Sequence, residues 1–193
     1  MLVYTCITDD YDSPRSDIKV INTHGPNPRF AAKAIKILGH KLGESSTIWC
    51  DGNIFIKDLS PFINLLKYHD IVVLKHPVRD CIYQEAEACK LLKLDYADNI
   101  DRQVKYYQSI NYPTNSGLYA CGIIARNHTA KINSLSKEWL QQITEFSCRD
   151  QISFPVVFKD VKIGVITHKT GTFLNNEIYE IKPHLKTIQY HDI

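Results

Sequence analysis

The sequence is poor in several things that would fix its function at once. It has one methionine, two tryptophans and no pair of cysteines at C-x-x-C spacing in 193 residues. Its six cysteines, Cys6, Cys50, Cys81, Cys89, Cys121 and Cys148, are scattered, and most sit in apolar runs. No His/Cys cluster has zinc-ligand spacing, so buried free thiols in a reducing compartment are expected. No apolar run approaches ~20 residues, which argues against an integral membrane segment. The N-terminus lacks the charged and hydrophobic regions of a secretory leader, so a cytoplasmic protein is expected. No G-x-G-x-x-G or P-loop occurs, nor H-E-x-x-H or G-x-S-x-G, so dinucleotide-binding, ATPase, zinc-protease and serine-hydrolase readings lack their signatures. The net charge is only +2, too small to argue for a nucleic-acid partner.

What is present is an ordinary globular balance, 44% hydrophobic and 23% charged, with enough chain for one domain spanning residues 1–193. The excess is in tyrosine, of which there are eleven. Apolar and β-branched runs predict strands over 2–8, 18–21, 47–50, 54–56, 71–74, 118–126 and 161–167. Helical spacing predicts helices over 29–42, 60–68, 79–94, 100–110 and 134–145, while 150–158 fits a short helix or a strand. The alternation argues for an α/β fold with a central, mostly parallel mixed sheet flanked by helices. Sites in such sheets lie beyond the carboxyl ends of the strands.

The sharpest local feature is Trp49-Cys50-Asp51-Gly52-Asn53. It places a carboxylate at the end of a buried strand and a second oxygen-bearing side chain two residues on. On extended backbone those two face the same way, as a hard divalent cation bridging a diphosphate would need. An ordinary turn after a strand explains the same residues. The helix that precedes this strand carries Arg29, Lys33 and Lys36, cations suited to phosphate or ribose; a solvated helix face is the alternative for the lysines, and the preferred reading for Lys41. His168, at the end of the 161–167 strand, could ligate a metal through a neutral imidazole or be a surface histidine. Asp150 is either a helix cap paired with Arg149 or a carboxylate facing a sugar or an acceptor hydroxyl. His76 and Arg79 begin a dense polar segment after a buried strand and are expected to reach a donor. Glu85 is turned away from them if that segment is helical from Arg79.

In combination and order, these segments resemble the plant mucilage glycosyltransferase-like domain family, which has relatives in bacteria and large algal viruses. The matching residues are Tyr4-Thr5, Asp10-Tyr11-Asp12, Arg29, Lys36 to His40, Trp49 to Asn53, His76 to Ala86, Gln103, Tyr107, Gly117-Leu118, Arg126 to His128 and Arg149 to Phe154. They run from residue 4 to about 158. The resemblance implies a GT-A-like single domain with a DxD-like motif, a Mn2+ or Mg2+ cofactor, a nucleotide-sugar donor (probably a UDP-sugar) and a glycan or other hydroxyl acceptor. It implies donor-binding roles for Tyr4, Thr5, Tyr11, Asp12, Arg29, Lys33, Lys36, Asp51, Gly52, His76, Arg79, Gly117 and Leu118. Asn53 departs from the third place of a strict DxD motif and offers only a neutral carbonyl oxygen.

A looser similarity links Gly117 to Ile124, Asp150-Gln151 and His168-Lys-Thr-Gly171 to retaining GT-A enzymes. It implies Asp150 and Gln151 near the donor sugar, and Asp51, Asn53 and His168 as the metal set. The resulting expectation is a metal-dependent hexosyl- or deoxyhexosyl-transferase in polysaccharide biosynthesis, leaning to retention. A non-catalytic nucleotide- or carbohydrate-binding module and a lipid amide hydrolase are the alternatives. Among the tyrosines, Tyr4 and Tyr11 are expected to stack on a base, and Tyr83 and Tyr112 to border sugar or acceptor. Tyr68, Tyr96, Tyr106, Tyr179 and Tyr190 are expected to pack.

Overall fold

The computed structural model describes residues 1–8, 11–24 and 27–185. Asp10 and Tyr190, singled out above, lie outside the described residues. The chain runs β1 (Leu2–Thr8), β2 (Lys19–Thr23), α1 (Pro28–Ile37), β3 (Ser46–Cys50), β4 (Ile54–Ile56), α2 (Ser60–Leu66) and β5 (Ile71–Lys75). It continues α3 (Ile82–Leu91), α4 (Ala97–Ser109), β6 (Tyr119–Asn127), α5 (Ala130–Glu145), α6 (Asp150–Val157), β7 (Ile163–Ile166) and β8 (Tyr179–Ile181). Six strands form one sheet in the order β2-β1-β3-β6-β5-β7. Only β6 runs against its neighbours β3 and β5; the β1–β2, β1–β3 and β5–β7 pairings are parallel. The expected α/β class and mostly parallel mixed sheet are therefore present. A small antiparallel pair, β4–β8, sits beside the main sheet.

Burial explains the sheet. The central strands read as near-continuous apolar runs because both of their faces are covered. On one face α1, α5 and α6 pack around Trp139, whose ring meets Phe154 and Phe158 edge-on at 5.2 and 5.6 Å. Its indole N–H donates to Ser153 Oγ at 3.0 Å, so the largest core side chain leaves no buried polar atom unpaired. The other face closes over Ile48, Val72, Ile123 and Phe62 of α2. Among the described residues no helix is long and apolar enough to cross a membrane.

Several helix boundaries differ from expectation, and two of the differences have a direct tertiary reason. The helix expected over 29–42 ends at Ile37 and continues as a 3-10 turn, Gly39–Leu42. The buried Arg126 guanidinium of β6 donates to the carbonyls of Lys36 and Ile37, taking acceptors the next helical turn would have used. The helix expected from residue 79 starts at Ile82, because His76 Nδ1 accepts the backbone N–H groups of Val78 and Arg79 and holds that segment as a loop. Residues 150–157 are helical despite Pro155. Tyr68 and Tyr96, expected to pack, are 72% and 58% exposed.

The network around Arg126 carries a pH dependence. Tyr4 Oη accepts from Arg126 and donates to the Lys36 carbonyl, while Thr47 Oγ1 meets His128 Nε2 at 2.9 Å. Burial, then the charge of Arg126 and the neighbouring His40 ring, pushes His128 down to about 4, opposed by a hydrogen bond with Asn133. The unfolded chain thus binds a proton that the folded chain refuses between about pH 6.5 and 4. Stability contributed by neutral His128 is complete above that window and is lost as pH falls through it. After discounting for partial exposure, urea melts at pH 7 and pH 4.5 are expected to differ by about 1–2 kcal/mol more in the wild type than in His128→Gln.

Candidate functional site

The parallel strands β1 and β3 end side by side, and the Arg29–Lys33–Lys36 side of α1 faces them. Together they enclose a cavity of about 210 Å³ whose lining includes Tyr11, Asp12, Arg29, Lys33, Lys36, Asp51, Gly52 and Arg149. It occupies the position expected beyond strand carboxyl ends. Asp51 follows β3 directly, and its backbone N–H donates to the Gly122 carbonyl at 2.8 Å, which fixes it to β6. Its Oδ1 accepts from Trp49 Nε1 at 2.7 Å and from Lys36 Nζ at 3.3 Å. Gly52 is required by close approach: a Cβ there would stand 2.4 Å from Asp12 Oδ2. Asp12 Oδ1 lies 2.6 Å from His184 Nδ1, and the Tyr11 ring lies against the same imidazole at 4.4 Å.

Behind this floor lies a buried charge cluster. Lys33 and Lys36, three residues apart and so on one face of α1, both reach Asp150 Oδ2, at 2.6 and 2.7 Å. The Lys36 and Asp150 side chains are 2% and 5% exposed. Burial opposes the charge of Lys36, but Asp150 and Asp51 outweigh it and hold the ammonium above its ordinary range. Burial lowers Lys33, against the pull of Asp150. Burial also opposes ionisation of Asp150, yet the two ammoniums hold its carboxyl far below the usual range. The cluster carries two cations and one buried anion, with Asp51 as the second anion at its mouth.

The sequence-predicted residues separate into groups. Tyr11, Asp12, Arg29, Lys33, Lys36, Asp51 and Gly52 share the cavity. Tyr4 and Thr5 do not line it; both are fully buried in the sheet, and Tyr4 bonds to α1 carbonyls and Arg126 instead of presenting a ring. Asp150 sits behind the lysines, and Gln151 accepts from Arg149 Nη2 at 3.4 Å. His76 and Arg79 converge on the buried carboxylate of Glu85, at 3.5 and 2.7 Å, and so turn away from Asp51. Glu85, expected to face elsewhere, is their partner because residues 77–81 are loop. Gly117 and Leu118 tie to that loop through Gly117 N–H to Asp80 O and His76 N–H to Leu118 O. Tyr83 bonds the Tyr112 carbonyl at 2.7 Å.

The expected metal set is not assembled. Asn53 donates its amide to the Lys182 carbonyl at 2.8 Å. His168 lines a different cavity, with His76, Phe173 and Tyr179. The physical reason is the strand order, since β7 stands three places from β3, about 14 Å at ordinary strand spacing. Among the described residues no group of three His, Cys, Asp or Glu side chains could hold a metal ion. Asp51, Asn53 and His168 therefore do not fit a protein-held divalent cation. Sequence reasoning missed His184 altogether, and placed Arg149 only within a motif. Nothing in a lone histidine 172 residues from Asp12 signals their contact.

A family model described as TOD1/MUCI70, glycosyltransferase-like domain, matches residues 16–184. The match leaves residues 4–12 outside and extends past residue 158, where the resemblance read from the sequence ended. No curated protein matches the chain. Among solved structures, A197 from STIV is similar at 10% identity and a TM-score of 0.43, covering 99% of this chain and 100% of its own. The apo form of mouse xyloside xylosyltransferase 1 is similar at 13% identity and a TM-score of 0.43, covering 77% of this chain and 62% of its own.

Proposed function

The chain belongs to the TOD1/MUCI70 glycosyltransferase-like domain family and is a glycosyltransferase in class; we propose that its donor is a nucleoside-diphosphate sugar, a UDP-sugar, bound in the Asp51 cavity. The observation that carries this reading is the pair of lysines, buried Lys36 and partly exposed Lys33, that line a cavity at the ends of β1 and β3 and are held by Asp150. A leaving diphosphate develops negative charge, and preorganised cations in a water-poor site stabilise that charge far better than solvent does. Arg29, beside them, suits a bidentate grip on phosphate. Tyr11, Asp12 and His184 form the wall proposed for the nucleoside.

Asp150 is a positioning residue here. Held by two ammoniums, it does not supply the free base that an inverting reaction needs. We propose a retaining course: the C1–O bond to the diphosphate breaks, the acceptor oxygen bonds C1 on the same face, and the acceptor proton passes to the departing diphosphate.

Thermal shift with a panel of nucleotide sugars tests the donor. At 100 times Kd a ligand adds about 2.7 kcal/mol, which raises Tm by about 5–10 °C in a chain of this size. A UDP-sugar is expected to give that shift, and absence of a shift with every donor would overturn the reading. Running the panel with Mn2+ and with EDTA separates the charge sources. Loss of the shift in EDTA returns Asp51 to a metal role, in which phosphate oxygens and water complete the shell.

A further inference from the structure

The Asp51 cavity has a neighbour. On the other side of Arg29 lies a cavity of about 410 Å³, lined in part by Phe30, Tyr96, Asn99, Thr144 and Phe146. Arg29 lines both cavities. So do adjoining stretches of the same two segments. Asn27 and Phe30 of the α1 entry face the larger cavity, while Ala32, Lys33 and Lys36 face the smaller; Cys148 faces the larger and Arg149 the smaller. The two cavities have Arg29 in common and are walled by neighbouring stretches of the same segments.

We propose that this second cavity receives the acceptor, a hydroxyl-bearing glycan, and delivers its terminal hydroxyl past Arg29 to the donor; this rests on the transferase reading above. Three features support it. The walls are tied together before any ligand arrives. Asp95 Oδ2 accepts from Ser147 Oγ at 2.7 Å and from the Cys148 N–H at 2.8 Å, and Arg29 Nη2 donates to the Leu94 carbonyl at 3.1 Å. These bonds join the α3–α4 loop, the α5–α6 loop and α1, so little ordering cost falls on binding.

The lining also has the mixed character that a sugar ring needs. Aromatic surface from Phe30, Tyr96 and Phe146 can cover ring C–H faces. The Asn99 carboxamide can bond hydroxyls, and Thr144 Oγ1, which donates to Leu140 O, keeps its acceptor capacity. Tyr96, expected to pack, is 58% exposed and lines this cavity. Volume alone does not select the site. A cavity of about 430 Å³ lined by Tyr112, Tyr119 and Phe158 is as large, yet it shares no residue with the Lys33–Lys36 cavity. Transfer requires both substrates to meet, and the Arg29 cavity adjoins the Lys33–Lys36 side of the donor cavity; a cavity of about 390 Å³ lined by Pro14, Val20 and His24 shares Asp12 with the donor cavity instead, on the wall proposed for the nucleoside.

The test uses saturation-transfer NMR with neutral trisaccharides of glucose, xylose and galactose, on the full chain without donor, beside donor thermal shift. Thr144→Trp adds an indole at an exposed helix position and fills the cavity. Ser116→Trp does the same to the Tyr112 cavity. Unliganded melts of both variants serve as folding controls. The expected result is that at least one trisaccharide binds the wild type, that Thr144→Trp weakens its Kd by about tenfold or more, and that Tyr96→Ala weakens it less. Ser116→Trp leaves Kd unchanged, and the donor shift is unchanged in all three variants. The proposal is overturned if no trisaccharide binds, if Ser116→Trp weakens binding and Thr144→Trp does not, or if Thr144→Trp removes the donor shift, which would assign the cavity to the nucleoside. A wild type with no donor shift at all overturns the transferase reading instead, and the glycan arm still reads the cavity.

Discussion

Lys36→Met is expected to lower the rate of sugar transfer by about 10²–10³-fold, with a smaller loss of donor affinity. The asymmetry follows from where the charge acts. A diphosphate ester carries less charge on its bridging oxygen before the C1–O bond breaks than after. A fixed ammonium therefore favours the transition state over the bound donor. Lys36 is fixed more firmly than an ordinary lysine. Its side chain is 2% exposed, its ammonium lies 2.7 Å from Asp150 and 3.3 Å from Asp51, and its backbone carbonyl is held by Tyr4 and Arg126. The check is kcat and donor Kd with the nucleotide sugar that stabilises the wild type, and Lys41→Met, on the exposed 3-10 turn, is the comparison. Turnover in Lys36→Met within threefold of the Lys41→Met value would remove Lys36 from the chemistry.

Asp150→Ala is expected to destabilise the fold by about 3–5 kcal/mol, because it leaves two ammoniums buried against each other with one partner gone. At about 2–4 °C per kcal/mol for a chain of this length, the melting temperature falls by roughly 10 °C. The pH dependence distinguishes this from simple loss of packing. Asp150 has a folded pKa held far below the unfolded carboxylate value. Its contribution is therefore complete above the unfolded pKa, about 3.9, and is lost as pH falls through the folded one. As pH falls from 7, the gap in stability between wild type and Asp150→Asn is expected to hold until about pH 4 and to narrow below it. A gap that closes near neutrality would mean that the carboxyl is not held by Lys33 and Lys36.

Local chemistry in the chain reached part of the site. The apolar run ending at Cys50 predicts a strand, and Asp51-Gly52 predicts its turn, because both depend on neighbours in sequence. Lys33 and Lys36 were legible as one cationic helix face for the same reason. Their partner was not, since Asp150 lies 114 residues beyond Lys36 and its segment fitted helix and strand equally. His76 and Arg79 misled because a polar run after a buried strand looks like a site from the sequence. In the fold it closes on Glu85 of α3, away from Asp51. Tyr4 misled in the opposite way: its place at a strand suggested stacking, while the fold uses its hydroxyl to brace the end of α1.

The sequence by itself determined the α/β class, the strands that build the sheet, and the Asp51 turn with its basic helix. These are set by hydrophobic period, turn chemistry and short-range spacing. Only the tertiary structure decided which polar residues meet. The order β2-β1-β3-β6-β5-β7 brings Asp12, Asp51 and α1 together while carrying His168 and His76 to other strand ends. Strand order depends on how buried faces pair across the whole chain, and no local pattern encodes it.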